Sequence, residues 1–269
     1  MATDSDGASG ADEREAITVY SDYVCPFCYL GRRSLASYQE TREEPLEVDW
    51  HPFDLRAGQR GPDGEIDRDE YTGKDEEYYE QARENVRRLQ EEYGADEMEL
   101  ELATDVDSLP AQVVSVRVRD TAPDAWLAFD EAVFDALWLA GRDIGDRDVL
   151  AGIAAETDGL DATVVDEALG DDDLRERVTD LFDAARRRGV TGVPTFAYEG
   201  HAARGAVPPE QLERLAEGGS GDRTAGQASD PGSAPRDPPP PATLRSAAAP
   251  RGPPRPHASG PEADASGDP

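Results

Sequence analysis

Lysine is almost absent from this chain: Lys74 is the only one in 269 residues, so nearly all of the 27 basic side chains are arginines. Against them stand 59 Asp and Glu, for a formal net charge of -32. A surface so poor in positive charge repels nucleic acid and anionic lipid, because both are held by Lys/Arg neutralisation of phosphates. Neither is an expected partner. Long apolar runs are missing too, and nothing approaches the ~20 residues that span a bilayer. Met1 to Glu15 is rich in Asp, Glu, Gly and Ala and has no apolar core of a secretory signal. A soluble, cytoplasmic protein is expected. Histidine is limited to His51, His201 and His257, scattered without ligand spacing. Structural zinc needs four ligands, usually Cys and His, so no metal site is expected within one chain. Only a site shared between two chains, each giving its thiolate pair, stays open.

So much like charge makes a folded chain repel itself unless salt screens it, and at about 1 M ionic strength the screening length is roughly 3 Å. The composition therefore reads as that of a protein from a halophile's salt-filled cytoplasm. Disorder is the other explanation of high charge, but periodic apolar segments argue against it for residues 16–217.

Cysteine is scarce as well, and the two present are informative. They sit three apart in Ser21-Asp22-Tyr23-Val24-Cys25-Pro26-Phe27-Cys28-Tyr29-Leu30, directly after the strand-like run Ile17-Thr18-Val19-Tyr20. At a strand-to-helix junction, backbone N–H groups and the positive helix end face the first sulfur, which favours its thiolate. Cys25 is thus a candidate nucleophile at an exposed tip. Cys28 shares a helix face with Gly31 and Leu35 and points inward. The competing readings are a structural disulfide and two inert core thiols. A bridge closing so short a loop stabilises little, and a cytoplasmic pair is more often catalytic than structural.

Periodicity orders the rest. A helix is predicted from about Pro26 to Thr41, and Leu46 to Trp50 alternates as a strand ended by Pro52, giving a β-α-β opening. From about Tyr71 the pattern is helical, with Tyr79, Ala82, Val86, Leu89 and Tyr93 on one face and Gly94 as the stop. Leu109 to Val118 fits strand or helix, and helix is preferred. Helices are also predicted over Asp124–Ala140, Asp146–Thr157, Ala162–Leu169 and Asp172–Arg188. In the first of these Trp126, Leu127, Val133, Phe134, Leu137 and Trp138 form a stripe interrupted by Asp130. Gly192-Val193-Pro194-Thr195 then leads into a strand, Glu199-Gly200 turns it, His201 to Gly205 returns as a hairpin, and Pro208 to Ala216 is a last helix. Residues 218–269 hold 12 of the 21 prolines and Leu244 as their one large aliphatic, so they are read as a disordered, dispensable tail. The expected organisation is a disordered 1–15, a β-α-β part over 16–65, a helical insertion over 66–188, a β-β-α part over 189–217, and the tail.

Cys25-Pro26-Phe27-Cys28 after the first strand, a long helical insertion, and Gly192-Val193-Pro194-Thr195 before a late strand together resemble the DsbA family of thioredoxin-fold proteins. Tyr23 to Gly31 and Gly205-Ala206-Val207-Pro208-Pro209-Glu210 are similar to its cytoplasmic FrnE-like branch. The resemblance implies an α/β thioredoxin-like fold with a large inserted all-helical domain. It implies a cis bond before Pro194, which lies beside the Cys pair, substrate pairing at the backbone of Val193, and Pro26, Phe27, Val193 and Pro194 as the substrate-binding residues. The implied activity is thiol-disulfide exchange, with Cys25 as nucleophile, Cys28 as resolving thiol and no cofactor beyond their disulfide. Partners would be a thiol- or disulfide-containing substrate and a cellular redox partner, with the chain a monomer or homodimer. The same broad family holds thiol-cofactor-dependent isomerases and transferases, such as 2-hydroxychromene-2-carboxylate isomerase, which generally carry Ser in place of the first Cys, while FrnE-like relatives linked to polyketide chemistry keep a polyketide-isomerase activity open. A non-catalytic, chaperone-like binding module is the third possibility. Glu47, Asp49 and His51 are weaker candidates for proton transfer; the strand period points the two acids to solvent. Arg32 and Arg33 are read as solvated, and Tyr23, Tyr29, Trp126, Phe134 and Trp138 as core.

Overall fold

The structure is a computed structural model that describes residues 15–61, 64–67, 76–100 and 106–217. The expectations for residues 1–14, for 71–75 and for the tail lie outside these. Strand β1 (Ala16–Ser21) leads into helix α1 (Pro26–Thr41), and β2 (Glu47–Pro52) follows. A helical block comes next: α2 (Glu76–Glu92), α3 (Leu109–Thr121), α4 (Pro123–Trp138), α5 (Arg147–Glu156), α6 (Thr163–Leu169) and α7 (Asp172–Arg187). The chain closes the sheet with β3 (Thr195–Tyr198) and β4 (His201–Arg204), then ends its described part in α8 (Pro209–Glu217).

The four strands order as β2-β1-β3-β4, with β1 and β2 parallel and the other two pairs antiparallel. Pro52 ends β2 as expected, pairing with Ser21 as its last residue. Between β3 and β4 the turn residues Glu199 and Gly200 both have positive φ, 46° and 83°, the two-residue geometry that matches strand twist and that glycine accommodates without cost.

Strand alternation sorts β1 onto two faces. Ile17 and Val19 join Leu35 and Tyr38 of α1 and Leu212 and Leu215 of α8 in one apolar cluster, while Tyr20 packs with Phe53, Ala185 and Val190 on the α7 side. The largest cluster runs without a break from Tyr23, Cys28 and Trp50 into α3, α4, α5, α6 and α7, so the helical block shares its core with the start of α1.

Helix α3 explains its own ambiguous pattern. It buries Leu109, Ala111, Gln112, Val113, Val114, Ser115, Val116 and Val118, and a helix covered on all sides shows no stripe. Two apolar residues depart from expectation. Tyr79 is largely exposed, because α2 buries only Val86, Leu89 and Gln90 toward its C-terminal half. Leu127, 50% exposed, stands off the α4 stripe, whereas Asp130 within that stripe is buried. No described helix is long and apolar enough to cross a membrane.

Candidate active site

Strand β1 delivers the cysteines through a tight turn. The Cys25 N–H donates to the Asp22 carbonyl (3.1 Å) and the Val24 N–H to Asp22 Oδ1 (3.3 Å). That turn leaves Cys25 extended as the N-cap of α1, with Pro26 next, where a missing N–H costs nothing. The Cys25 carbonyl accepts from the N–H groups of Cys28 (3.0 Å) and Tyr29 (3.3 Å). Both thiols are free.

The loop before β3 lies against them. Its Val193–Pro194 peptide bond is cis, and Cys25 Sγ donates to the Val193 carbonyl at 3.5 Å. Pro26, Phe27 and Val193 are half-buried, and Pro194 is buried. Cys25, Cys28, Val193 and Pro194 are thus brought together, with Pro26 and Phe27 between the sulfurs in sequence and Phe27 packed on the main core. One expectation is corrected. Cys25 is not an exposed tip but only 3% exposed, because it lies in the apolar cluster with Tyr23, Trp50 and Trp138, and the Val193 carbonyl meets its sulfur.

Gly31 permits this approach. A Cβ there would lie 3.0 Å from Pro194 Cγ and 3.1 Å from Phe196 Cζ, two rings with little freedom to move. Overpacking of this kind costs about 1–3 kcal/mol, against about 1 kcal/mol that alanine gains over glycine in a helix. Gly31→Ala is therefore expected to lose stability on balance, by up to about 2 kcal/mol in thermal or urea unfolding; a variant as stable as the parent contradicts the packing.

Beneath Cys28 sits an acid that sequence reasoning passed over. Asp22 is 0% exposed, and burial raises its carboxyl from 3.8 to about 6, helped by the charge of Asp54 and opposed by hydrogen bonds from Ser108, Leu55 and Val24. The Cys28 thiol is pushed well above its ordinary range, first by burial and then by the Cys25 sulfur; the Asp22 charge adds to the rise, while the Asp22 backbone N–H opposes it. Cys28 is thereby held as a protonated thiol with a carboxyl neighbour. The signal in the sequence was an acid at the end of a buried strand, three residues before the first cysteine.

A carboxyl whose folded value is raised contributes stability below its unfolded pKa, and that contribution is lost as pH rises through the folded value. For Asp22 the window runs from 3.8 to about 6, worth about 3 kcal/mol. Asp22→Asn is expected to be more stable than the parent at pH 8 by up to that amount and to lose the advantage near pH 4. Urea unfolding at the two pH values checks it; an advantage independent of pH contradicts the burial of a charged Asp22.

A second buried chain of polar groups ties α1 to the helical block. Trp126 Nε1 donates to Ser115 Oγ (3.0 Å), which lies 2.8 Å from the Tyr23 hydroxyl, and that hydroxyl donates to Asp130 Oδ1 (2.9 Å). Asp130 Oδ2 pairs with Arg32 Nε at 3.0 Å. Burial raises the Asp130 carboxyl, with Arg32 opposing, and burial with the Asp130 charge raises the Tyr23 hydroxyl. Arg32 is therefore not simply solvated, and Asp130 is its partner rather than a flaw in the α4 stripe. Arg33 donates to the Gly94 carbonyl (2.9 Å). Glu47 and Asp49 are exposed as expected, and His51 meets Asp49 Oδ2 at 3.4 Å and stacks on Tyr20. None of the three reaches the thiols by any of these contacts.

Among the described residues no group of His, Cys, Asp and Glu is arranged to hold a metal ion. Comparison with known proteins agrees with the geometry. The chain is 28% identical over 205 residues to the uncharacterised protein YwbO of Bacillus subtilis, covering 74% of this chain and 94% of that one. Its fold is similar to a probable DsbA oxidoreductase from Streptomyces coelicolor (TM-score 0.59, 21% identity, 81% of this chain and 94% of that one). It is similar to a 2-hydroxychromene-2-carboxylate isomerase to the same degree (TM-score 0.59, 19% identity, 74% and 92%). The DSBA-like thioredoxin domain family matches residues 16–216. With the cysteine pair at the start of α1 and the cis proline packed against that helix, the chain belongs to this family.

Proposed function

We propose that the protein is a thiol-disulfide oxidoreductase in which Cys25 is the nucleophile and Cys28 the resolving thiol. The observation that carries this reading is the placement of Cys25 Sγ at the head of α1, 3.5 Å from the Val193 carbonyl, with Cys28 buried and protonated behind it. In the reductive direction the Cys25 thiolate attacks one sulfur of a substrate disulfide, forming a mixed disulfide and expelling the other sulfur as a thiolate. Cys28 then gives its proton to the Asp22 carboxylate and attacks Cys25 Sγ. That second attack forms the Cys25–Cys28 disulfide and expels the remaining substrate thiolate. Two electrons pass from the pair to the substrate, and no further cofactor enters. The reverse sequence oxidises a dithiol, and a cellular redox partner resets the pair.

The test is stoichiometric. The reduced protein is mixed with a disulfide-linked peptide at about 1 M salt, where surface repulsion is screened, then acid-quenched and alkylated. One peptide disulfide is expected to open for each protein in which Cys25 and Cys28 both become resistant to alkylation. Unchanged peptide overturns the reading. Isomerisation of a small molecule by a bound thiol cofactor is the second reading, favoured by the fold shared with 2-hydroxychromene-2-carboxylate isomerase. It gives Cys28 no task, so turnover that needs added glutathione and survives Cys28→Ser would favour it.

A further inference from the structure

The Asp22 carboxylate is held from two sides. From its own part of the chain it accepts the N–H groups of Val24 (3.3 Å to Oδ1) and Leu55 (2.9 Å to Oδ2). From the helical block it accepts Gln112 Nε2 at 3.3 Å on Oδ1, and the Ser108 hydroxyl, 3.1 Å from that same nitrogen, holds the proton affinity of the carboxyl down. Ser108 immediately precedes α3 without its side chain capping it, and Gln112 lies in the first turn, so a single helix end brings both groups to the acid.

Gln112 occupies this place at a cost. It is 0% exposed, and its Nε2 is shared among Asp22 Oδ1, the Phe53 carbonyl (3.2 Å) and Ser108 Oγ (3.1 Å). Two hydrogens serve three acceptors. Its Oε1 is buried with no hydrogen-bond partner among the described residues, a penalty that an apolar side chain of the same size would avoid. The amide cannot simply be turned over, because its oxygen would then face the Phe53 carbonyl and the carboxylate. The arrangement serves the carboxylate before it serves the core.

The surroundings leave these two residues as the adjustable contacts. Facing Asp22 are Cys28 of α1, and Asp54 from the segment after β2, whose charge is met by Arg60 (Nε to Oδ2, 3.1 Å). Arg60 also pairs with Asp107 at 2.9 Å, and Arg186 of α7 donates to the Asp54 carbonyl. From α3 only the neutral Ser108 and Gln112 reach the carboxylate.

We propose that Ser108 and Gln112 are positioning residues for the second half of the exchange: the helical block uses them to hold the Asp22 carboxylate beside Cys28 and to set how readily it takes that thiol's proton. This rests on the exchange mechanism above. The step moves one proton, from the Cys28 sulfur to an Asp22 oxygen, and the electron pair left on sulfur makes the bond to Cys25 Sγ.

The experiment uses dithiobis(nitrobenzoate), which labels Cys25 and releases one coloured thiolate, then a second when Cys28 displaces the label. The rate of the second release is followed from pH 4.5 to 8.5 in the parent, Asp22→Asn, Ser108→Ala, Ser108→Thr and Gln112→Leu. The parent is expected to show an inflection near the Asp22 value of about 6, and Asp22→Asn to lack it. Loss of a donor to the carboxylate raises its proton affinity, so Ser108→Ala and Gln112→Leu should each move the inflection up by roughly one pH unit and slow release near pH 6 about fivefold. Ser108→Thr, which keeps the hydroxyl, should restore the parent profile. An inflection unmoved in both folded variants, or one that survives Asp22→Asn, overturns the proposal, since a purely structural role lowers the melting temperature without shifting the profile. Absence of any second release in the parent is a different failure: it removes the exchange mechanism itself, and the proposal with it.

Discussion

Replacing Cys25 with serine is expected to lower disulfide exchange by at least about a thousandfold, on the scale of losses seen when an enzyme forfeits its covalent nucleophile. Replacing Cys28 should give a different phenotype. Its thiol is held protonated by burial and by the neighbouring Cys25 sulfur, so it does not begin the reaction but ends it. Cys28→Ser is expected to attack substrate once and then persist as a mixed disulfide, visible by non-reducing electrophoresis as a covalent adduct that dithiothreitol releases. The two variants together separate three readings. Loss in the first with trapping in the second supports exchange. Parent-like behaviour of both leaves a binding module. Turnover of a small molecule that needs added glutathione and survives both replacements points to thiol-cofactor isomerisation.

The largest expected effect on stability is at Phe196. Its side chain is 0% exposed in β3, between the pairings to β1 and β4. It packs in the cluster with Ile17, Leu35, Tyr38 and Leu212, and its ring edge is one of the two groups that confine Gly31. Phe196→Ala removes most of a buried aromatic from a site bounded by a sheet and two helices, which collapses poorly, and is expected to cost about 3–5 kcal/mol. For a folded body of about 200 residues that is a fall in melting temperature of roughly 6–20 °C. Because the same ring and Pro194 both abut Gly31 of α1, thiol exchange should fall in the folded fraction as well. A variant that melts within about 2 °C of the parent contradicts the placement of Phe196 in the core.

What the sequence showed and what it hid follow from the range of the interactions. The β-α-β opening, the α1 span and the Glu199-Gly200 hairpin are local: strand alternation, a proline at the helix start and a turn needing positive φ each act within a few residues. The cysteines were visible for the same reason. Pro194 was placed beside them through the family resemblance, since nothing in a single strand's period brings residue 194 to residue 25. Asp22 was missed because its meaning comes from Gln112, 90 residues away, and from burial that an acid at a strand end does not advertise. Arg32 and Asp130, on α1 and α4, looked like a solvated base and a broken stripe until the two helices met. Leu127 shows the converse. An apolar residue in the N-terminal half of α4 fits the period, yet Leu127 is left exposed there, and its carbonyl accepts from Arg32 Nη2 (3.1 Å).

The central claim is that Cys25 and Cys28 interconvert between dithiol and disulfide within one chain. Equilibration of the protein in glutathione buffers of graded ratio, followed by acid quench and intact-mass analysis after alkylation, measures this directly. The expected result is a single reversible two-electron transition between a doubly alkylated and an unalkylated species, with a midpoint between about -270 mV, a reductant's value, and about -120 mV, an oxidant's. A pair that stays doubly alkylated at every ratio, or that oxidises only by linking two chains, contradicts it.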